Sequence, residues 1–285
     1  GGGLDLVGRA FEQALRETRT LDQPIVIANV AAGAGNAAKT QIIQHRGDPH
    51  YLYLDTNRVY MNRLVGMTAE GHDAVTPVAR LITEYLVWVV RADSPFRTAR
   101  DVLDRLRNDP ASVTFAISSI PSNDQINIIG PALAVGVDAR KIRIAAFSSN
   151  MNTQLLGGHV SVLSTPLSEV LPLVKAGQVR LLAVSSPDKV GGDLATVPTW
   201  RSMGIDISVL HWRGLFAPPG MPAEALRFWE ERLPRFVRSE AWKKALEQNG
   251  WFDAYADSAT FRKEMEREIV LNTRILGELG LLKTR

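Results

Sequence analysis

Chemistry in this sequence is best sought in four polar or glycine-rich loops. Gly1-Gly2-Gly3-Leu4-Asp5 stands immediately before a stretch of helical period. Ala32-Gly33-Ala34-Gly35-Asn36 follows an apolar run at 25–29, and Ser118-Ser119-Ile120-Pro121-Ser122-Asn123-Asp124 follows another at 113–117. Phe147-Ser148-Ser149-Asn150-Met151-Asn152 follows a third at 142–146. Each loop puts small or capping residues at a helix start, where the first backbone N–H groups have no partner inside the helix. Those groups, together with the positive end of the helix dipole, suit a carboxylate or phosphate. Glycine lets a ligand approach the backbone, and Ser and Asn add neutral donors and acceptors. Taken singly, each loop also reads as an ordinary cap or turn. Four of them in one α/β chain point to an anion held between domains. Gly33-Ala34-Gly35 falls short of a dinucleotide fingerprint, because the final glycine and the distant acid are missing.

The rest of the composition argues against catalysis. The histidines (His45, His50, His72, His159 and His211) form no zinc pattern with an acid, and there is no cysteine. No Gly-x-Ser-x-Gly elbow, Walker sequence or kinase signature is present. A general base would have to be Asp5 or Asp124. No enzyme, metal or cofactor is therefore expected. Lys and Arg number 33 against 30 acids, a net charge of +3 without a basic stripe, so nucleic acid is not an expected partner. No apolar run reaches the ~18 residues of a membrane span. The opening triglycine, with no start methionine and no signal h-region, is read as a processed chain whose targeting segment has been removed.

These loops need a scaffold of alternating strands and helices. Strand-sized apolar runs lie at 24–29, 51–55, 85–90, 113–117, 142–147, 160–163 and 179–184. Helical periods lie between them, at 4–18, 98–107, 124–135 and 167–176. That alternation implies βα units with mainly parallel sheets flanked by helices. The last quarter is helical, at 222–238, 240–249 and 258–279, and rich in Glu, Arg and Lys. Connectors at 91–95 and 216–220 mark where the chain would cross between two domains.

Together these stretches resemble the periplasmic receptors of tripartite tricarboxylate transporters, the TctC or Bug family. Gly1-Gly2-Gly3-Leu4-Asp5 resembles the end of that family's Pro-Gly-Gly-Gly-x-Asp loop. Asn29-Val-Ala-Ala-Gly33-Ala-Gly35-Asn36 resembles its Asn-x-Pro-Gly-Ala-Gly-Gly segment. Asp93-Ser94-Pro95-Phe-Arg-Thr98 with Asp101 is similar to its first crossing, and Trp212-Arg-Gly214-Leu-Phe216-Ala-Pro218-Pro-Gly220 to its return. Leu156-Gly157-Gly158-His159-Val160, Lys175-Ala-Gly177-Gln-Val-Arg180 and Val197-Pro198-Thr199 resemble further family stretches in the same order. The chain departs from the pattern at Ser122-Asn123-Asp124-Gln125, where the family carries glycines and an Asp-His pair. It departs again at Ser148-Ser149-Asn150-Met151-Asn152 and at Ala31-Ala32.

The resemblance implies a two-lobed periplasmic-binding-protein (type II) fold with a helical C-terminal tail. Lobe one would combine 1–93 with 216–285, lobe two would span 94–215, and a ligand cleft would lie between them. The implied protein is a monomeric extracytoplasmic receptor that hands a small carboxylate to membrane permease subunits. The ligand-binding set is Gly2, Gly3, Leu4, Asp5, Asn36, Thr56, Asn57, Ser118, Ser119, Ser122, Asn123, Asp124, Ser149, Asn150 and Thr165. Within it the asparagines, with Asn152, would read the part of the ligand beyond its carboxylate. Trp212 reads as packing near the return crossing; Arg91 and Arg213 could supply a cation beside the cleft, with an exposed salt bridge the simpler reading of each. A ligand sensor of the same fold that signals to a kinase is the competing reading.

Overall fold

The computed structural model describes residues 3–30, 32–147 and 150–283. In chain order the elements are α1 (Gly3–Glu17), α2 (Asn36–Gln44), β1 (Tyr53–Asp55), α3 (Arg58–Leu64) and β2 (Thr76–Arg91). There follow α4 (Ala99–Asn108), β3 (Thr114–Ile117), α5 (Asn123–Ala134), β4 (Arg143–Ala146), α6 (Met151–Leu156), β5 (Val162–Pro166), α7 (Leu167–Lys175) and β6 (Val179–Val184). The chain ends with β7 (Leu210–Ala217), α8 (Ala223–Phe236), α9 (Glu240–Asn249), β8 (Phe252–Asp257) and α10 (Ser258–Glu278).

The chain divides into two compact units. The first comprises Gly1–Thr83, Trp212–Leu276 and Leu281–Arg285; the second comprises Glu84–His211 and Gly277–Gly280. Two of the boundaries fall inside strands, β2 and β7, several residues before the connectors at 91–95 and 216–220, and the other two lie at the end of α10 and just beyond it. β2 is 16 residues long and almost wholly buried. The polar residues Arg80, Thr83 and Glu84 interrupt its apolar run, which hides its first half from a pattern search. Its β-branched and aromatic side chains nevertheless suit a strand covered on both faces.

The sheets are mixed, not mainly parallel. In the first unit β1 pairs antiparallel with β7, and β8 pairs antiparallel with β2. In the second unit β3 lies parallel to both β4 and β5, while β2 runs antiparallel to β5 and β6. The βα units supply the parallel pairs, as the helix–strand alternation requires. The long strand β2, which carries the chain from one unit to the other, makes antiparallel pairs with β5, β6 and β8, and β7, where the chain returns, makes one with β1. The expected strand at 24–29 does not form. Its residues carry no regular secondary structure, no described strand pairs with them, and Val26 is 88% exposed. β-propensity without a pairing edge does not make a strand.

Each unit has its own aromatic core. In the first, α1 buries Val7, Gly8, Phe11, Ala14 and Leu15 on one face. Phe11 meets Phe236 at 5.1 Å and Trp242 at 6.2 Å, edge to face in both cases. Gly214 on β7 lies under Phe261 of α10, where a Cβ would stand 2.5 Å from the ring. That close approach admits only glycine.

In the second unit Trp88 packs edge to face on Trp200 at 4.6 Å and touches Phe115 at 5.2 Å. Asn127 of α5, fully buried, serves both indoles: its backbone carbonyl accepts from Trp88 at 3.0 Å and its side-chain oxygen from Trp200 at 2.8 Å. Its amide nitrogen donates to Ser164 Oγ at 3.1 Å, which in turn donates to the carbonyl of Asp124 at 2.9 Å. This chain of bonds fixes the first turns of α5 against β2 and β5. Asn127→Leu leaves the Trp200 N–H buried without an acceptor and is expected to cost about 2–3 kcal/mol in chemical denaturation. Adding Trp200→Phe removes that orphan, so the double variant should lose less than the sum of the two singles. Additive losses would show that the network does not work as a unit.

Candidate functional site

The second unit gathers its polar residues at the carboxyl ends of the parallel strands, where ligands of open α/β sheets collect. β3 ends at Ile117, and the turn at 118–122 leads into α5. Ser122 caps that helix, its Oγ accepting from Gln125 N at 3.2 Å. The Asp124 carboxylate accepts from Ser118 N at 3.0 Å and from the Ser118 hydroxyl, closing the turn on itself. Asn123 is buried, and its amide donates to Leu210 O at 3.0 Å with His211 Nδ1 at 3.4 Å. Thr165, at the end of β5, is fully buried and donates to Glu169 Oε2 at 2.7 Å. Asn150 caps α6 in the left-handed region (φ 65°) without a side-chain bond to the helix, and it is exposed. Asn152 donates to Glu169 O at 3.0 Å, so α6 and the α7 start share one anchor.

The fold thus brings together Ser118, Ser122, Asn123, Asp124 and Thr165. Ser119 is exposed beside them. Most of these side chains knit the loop; what the loop presents is the start of a 12-residue helix with its positive dipole end. Asp124, tied to two Ser118 donors, is poorly placed to serve as a general base. Ser149 lies outside the described residues.

In the first unit the sequence-derived residues lie on three segments, and the turn before α2 lies against Arg58, next to Thr56 and Asn57. Gly3 and Leu4 open α1. Asp5 in its first turn accepts from Arg9 at 3.0 Å and from Asn29 at 2.7 Å. These bonds, with Arg9 the larger, hold its carboxyl below the usual range, so it stays ionised and ties the 24–30 segment to the helix start. Gly3 lies on Arg213: a Cβ there would be 2.8 Å from the guanidinium Nη2. Arg213 is buried, not the exposed salt bridge expected of it, because β7 turns it toward α1. Arg91 does make the exposed pair, with Asp93. Gly2 lies outside the described residues.

Asn36, the first residue of α2, accepts from Asn62 at 3.0 Å, and the same Asn62 amide donates to Ala34 O at 3.0 Å. This staple holds the turn in which Gly33, Ala34 and Gly35 all have positive φ (59°, 54° and 89°). Ala34 carries the strain of a left-handed backbone there. Below it, Lys39 is buried and donates to Glu70 O at 2.7 Å and Val59 O at 3.2 Å; burial lowers its pKa. Asp55, also buried, takes the Tyr53 hydroxyl and faces Arg58, and burial raises its pKa.

Thr56 and Asn57 follow β1 and are both buried. Thr56 Oγ1 accepts from Arg58 N at 3.3 Å. Asn57 faces the Tyr60 hydroxyl, in a network that pattern reading does not reveal. Asn272 donates to Tyr60 Oη at 2.7 Å, and the Trp212 indole donates to Glu268 Oε2 at 2.7 Å. Tyr60 also bonds Glu268. Trp212 is therefore packing and anchor, as read from its place before the return crossing. Among the described residues no cluster of three or more His, Asp or Glu could hold a metal ion.

Desolvation pushes the Glu268 carboxyl up from 4.5 to about 7, against the opposing bonds from Trp212 and Tyr60. The folded chain therefore holds a proton that the unfolded chain releases. The stabilisation from that proton is complete below about pH 4.5 and is lost as pH rises through about 7. Glu268→Gln, which fixes the neutral form, should unfold at a higher temperature than the parent at pH 8 and at a similar one at pH 5. A difference independent of pH would assign the effect to packing.

A family model described as "Tripartite tricarboxylate transporter family receptor" matches residues 7–281. A TctC solute-binding protein from Polaromonas, solved without ligand, superposes with a TM-score of 0.83 at 25% identity, covering 98% of this chain and 95% of that one. Rpa4515 of R. palustris with adipate gives 0.82 at 23% identity, over 98% of this chain and 93% of that one. MatC from Rhodopseudomonas palustris with bound malate gives 0.76 at 21%, over 97% and 95%. No described helix is long and apolar enough to cross a membrane.

Proposed function

Because this chain belongs to the tripartite tricarboxylate transporter receptor family, we propose that it is a periplasmic solute receptor that binds a small carboxylate and delivers it to a permease of that transporter type. The ligand engages the start of α1 in one unit and the start of α5 in the other, and its binding draws the two lobes together. The observation that carries this reading is the buried Arg213 guanidinium packed against Gly3, the first residue of α1. A cation beside a helix N-terminus adds one positive potential to another, an arrangement that favours an anion on the same face.

Adipate and malate in two neighbours of the same fold support the carboxylate class. The magnitudes also support it. Hydrogen bonds to a charged group contribute about 1.5–3 kcal/mol each, so three or four give roughly 5–12 kcal/mol before ordering costs. Micromolar affinity, near −8 kcal/mol, is within that range. The family is one of solute receptors, and in this reading the bound acid is delivered unchanged.

Titration calorimetry with C4–C6 dicarboxylates, and with a neutral diamide and a diamine of matched length, tests the reading. The acids should bind in the micromolar range and the neutral and cationic analogues should not. Arg213→Gln should weaken the acids about tenfold or more, and Arg213→Lys, which keeps the charge, by less. Binding of the diamine in preference to the acids, or chemical change in a bound acid, would overturn it.

A further inference from the structure

We propose that this receptor takes up a proton together with the acid it binds, and that Glu268, joined to Asn57 through the Tyr60 hydroxyl, is where the proton goes; this rests on the receptor reading above. Glu268 stands on α10, half-buried, with its carboxyl turned onto buried residues. The Trp212 indole of β7 donates to it at 2.7 Å, and the Tyr60 hydroxyl of α3 bonds it as well. Tyr60 in turn meets Asn57 and accepts from Asn272 at 2.7 Å. The charges acting on the carboxyl oppose one another: Arg80 of β2 favours the ionised form, and Glu264, one turn earlier on α10, the neutral one. Arg80 is itself shared with Glu264 and the carbonyl of Ala254. Burial therefore decides, and the carboxyl is pushed up to about 7.

This cluster lies behind residues read as meeting the acid. Asp55, the last residue of β1, pairs with Gly214 of β7, so Thr56 and Asn57 leave β1 beside Arg213 and Trp212. Successive side chains of a strand point to opposite faces. Trp212 reaches Glu268 on one face of β7, while Arg213 lies on Gly3 at the start of α1 on the other. A carboxylate docked beside Arg213 and the start of α1 places a negative charge across one strand from Glu268, and a like charge favours the protonated form. The Tyr60 hydroxyl works in the same direction. It donates to an ionised Glu268 and can then only accept from the Asn57 amide. A protonated Glu268 donates instead, and the Tyr60 proton turns to the Asn57 carbonyl oxygen, which leaves the Asn57 N–H groups for an acid. Acid and proton therefore favour each other, and the coupling is reciprocal.

Titration calorimetry with adipate and with malate, repeated at pH 8 in buffers of different ionisation enthalpy, counts the protons taken up on binding. The parent should take up about half a proton or more per acid, and Glu268→Gln none. The parent's Kd should rise severalfold from pH 6.5 to pH 8. In Glu268→Gln it should stay level, near the parent's value at pH 6.5. Tyr60→Phe, which removes a donor to the ionised carboxylate, should move the fall in affinity to higher pH. Acid bound at pH 8 without proton uptake, uptake kept by Glu268→Gln, or a fall that Tyr60→Phe leaves in place or moves to lower pH would each overturn the proposal while leaving the receptor reading standing. Failure of both acids to bind the parent chain at pH 6.5 would bring down the receptor reading itself and this proposal with it.

Discussion

A single buried amide organises the second unit. The Asn127 side-chain amide lies inside an apolar core and is met there by the Trp200 indole and Ser164, while its backbone carbonyl takes the Trp88 indole. Burying such a group without partners would cost several kcal/mol, so the fold that contains it must also contain Trp88, Trp200 and Ser164 at fixed positions. Because Ser164 passes the chain on to the carbonyl of Asp124, the constraint reaches the first turn of α5. The helix start is therefore held by the core, and the loop before it inherits that placement. Ser118, Ser122 and Asp124 need only close the turn locally.

The first unit solves the same problem with different parts. An aromatic cluster around Phe11 seats α1, and Asp5 with Arg9 and Asn29 ties its first turn to the 24–30 segment beside it. Asn62 staples the strained turn before α2. In both units, side chains with capping chemistry are spent on holding backbone in place, and what faces outward is the helix start. A surface of that kind recognises a carboxylate generically. The buried guanidinium of Arg213 beside the start of α1 adds a positive charge to one of those helix starts.

Much of this architecture can be read from the residues, and the rest resists for identifiable reasons. The strands at 113–117, 142–147 and 179–184 stand out because they are short apolar runs between helical periods. The first half of β2 does not, because Arg80 and Glu84 are satisfied by tertiary neighbours that a local pattern cannot supply. The run at 24–29 misleads in the opposite sense: its residues favour a strand, but pairing is a property of the edge it meets. Asn127 is invisible because α5 is buried on nearly every face, so no polar stripe marks which side carries function. The candidate loops at Gly3–Asp5, Asn36 and Ser118–Asp124 are legible from glycine and capping residues at helix starts, and Thr56–Asn57 from its place after an apolar run. That the side chains there mostly hold the loops, and that Arg213 is buried, are facts of packing.

A receptor of this kind requires that an acid dock on the helix starts. Amide hydrogen exchange, with and without a dicarboxylate, reads those backbone groups directly. The account predicts that exchange slows at 3–6 and at 118–126 when the acid is added, with smaller changes in the outer helices α8 and α9. An acid that binds while exchange at both helix starts stays as it was would contradict it.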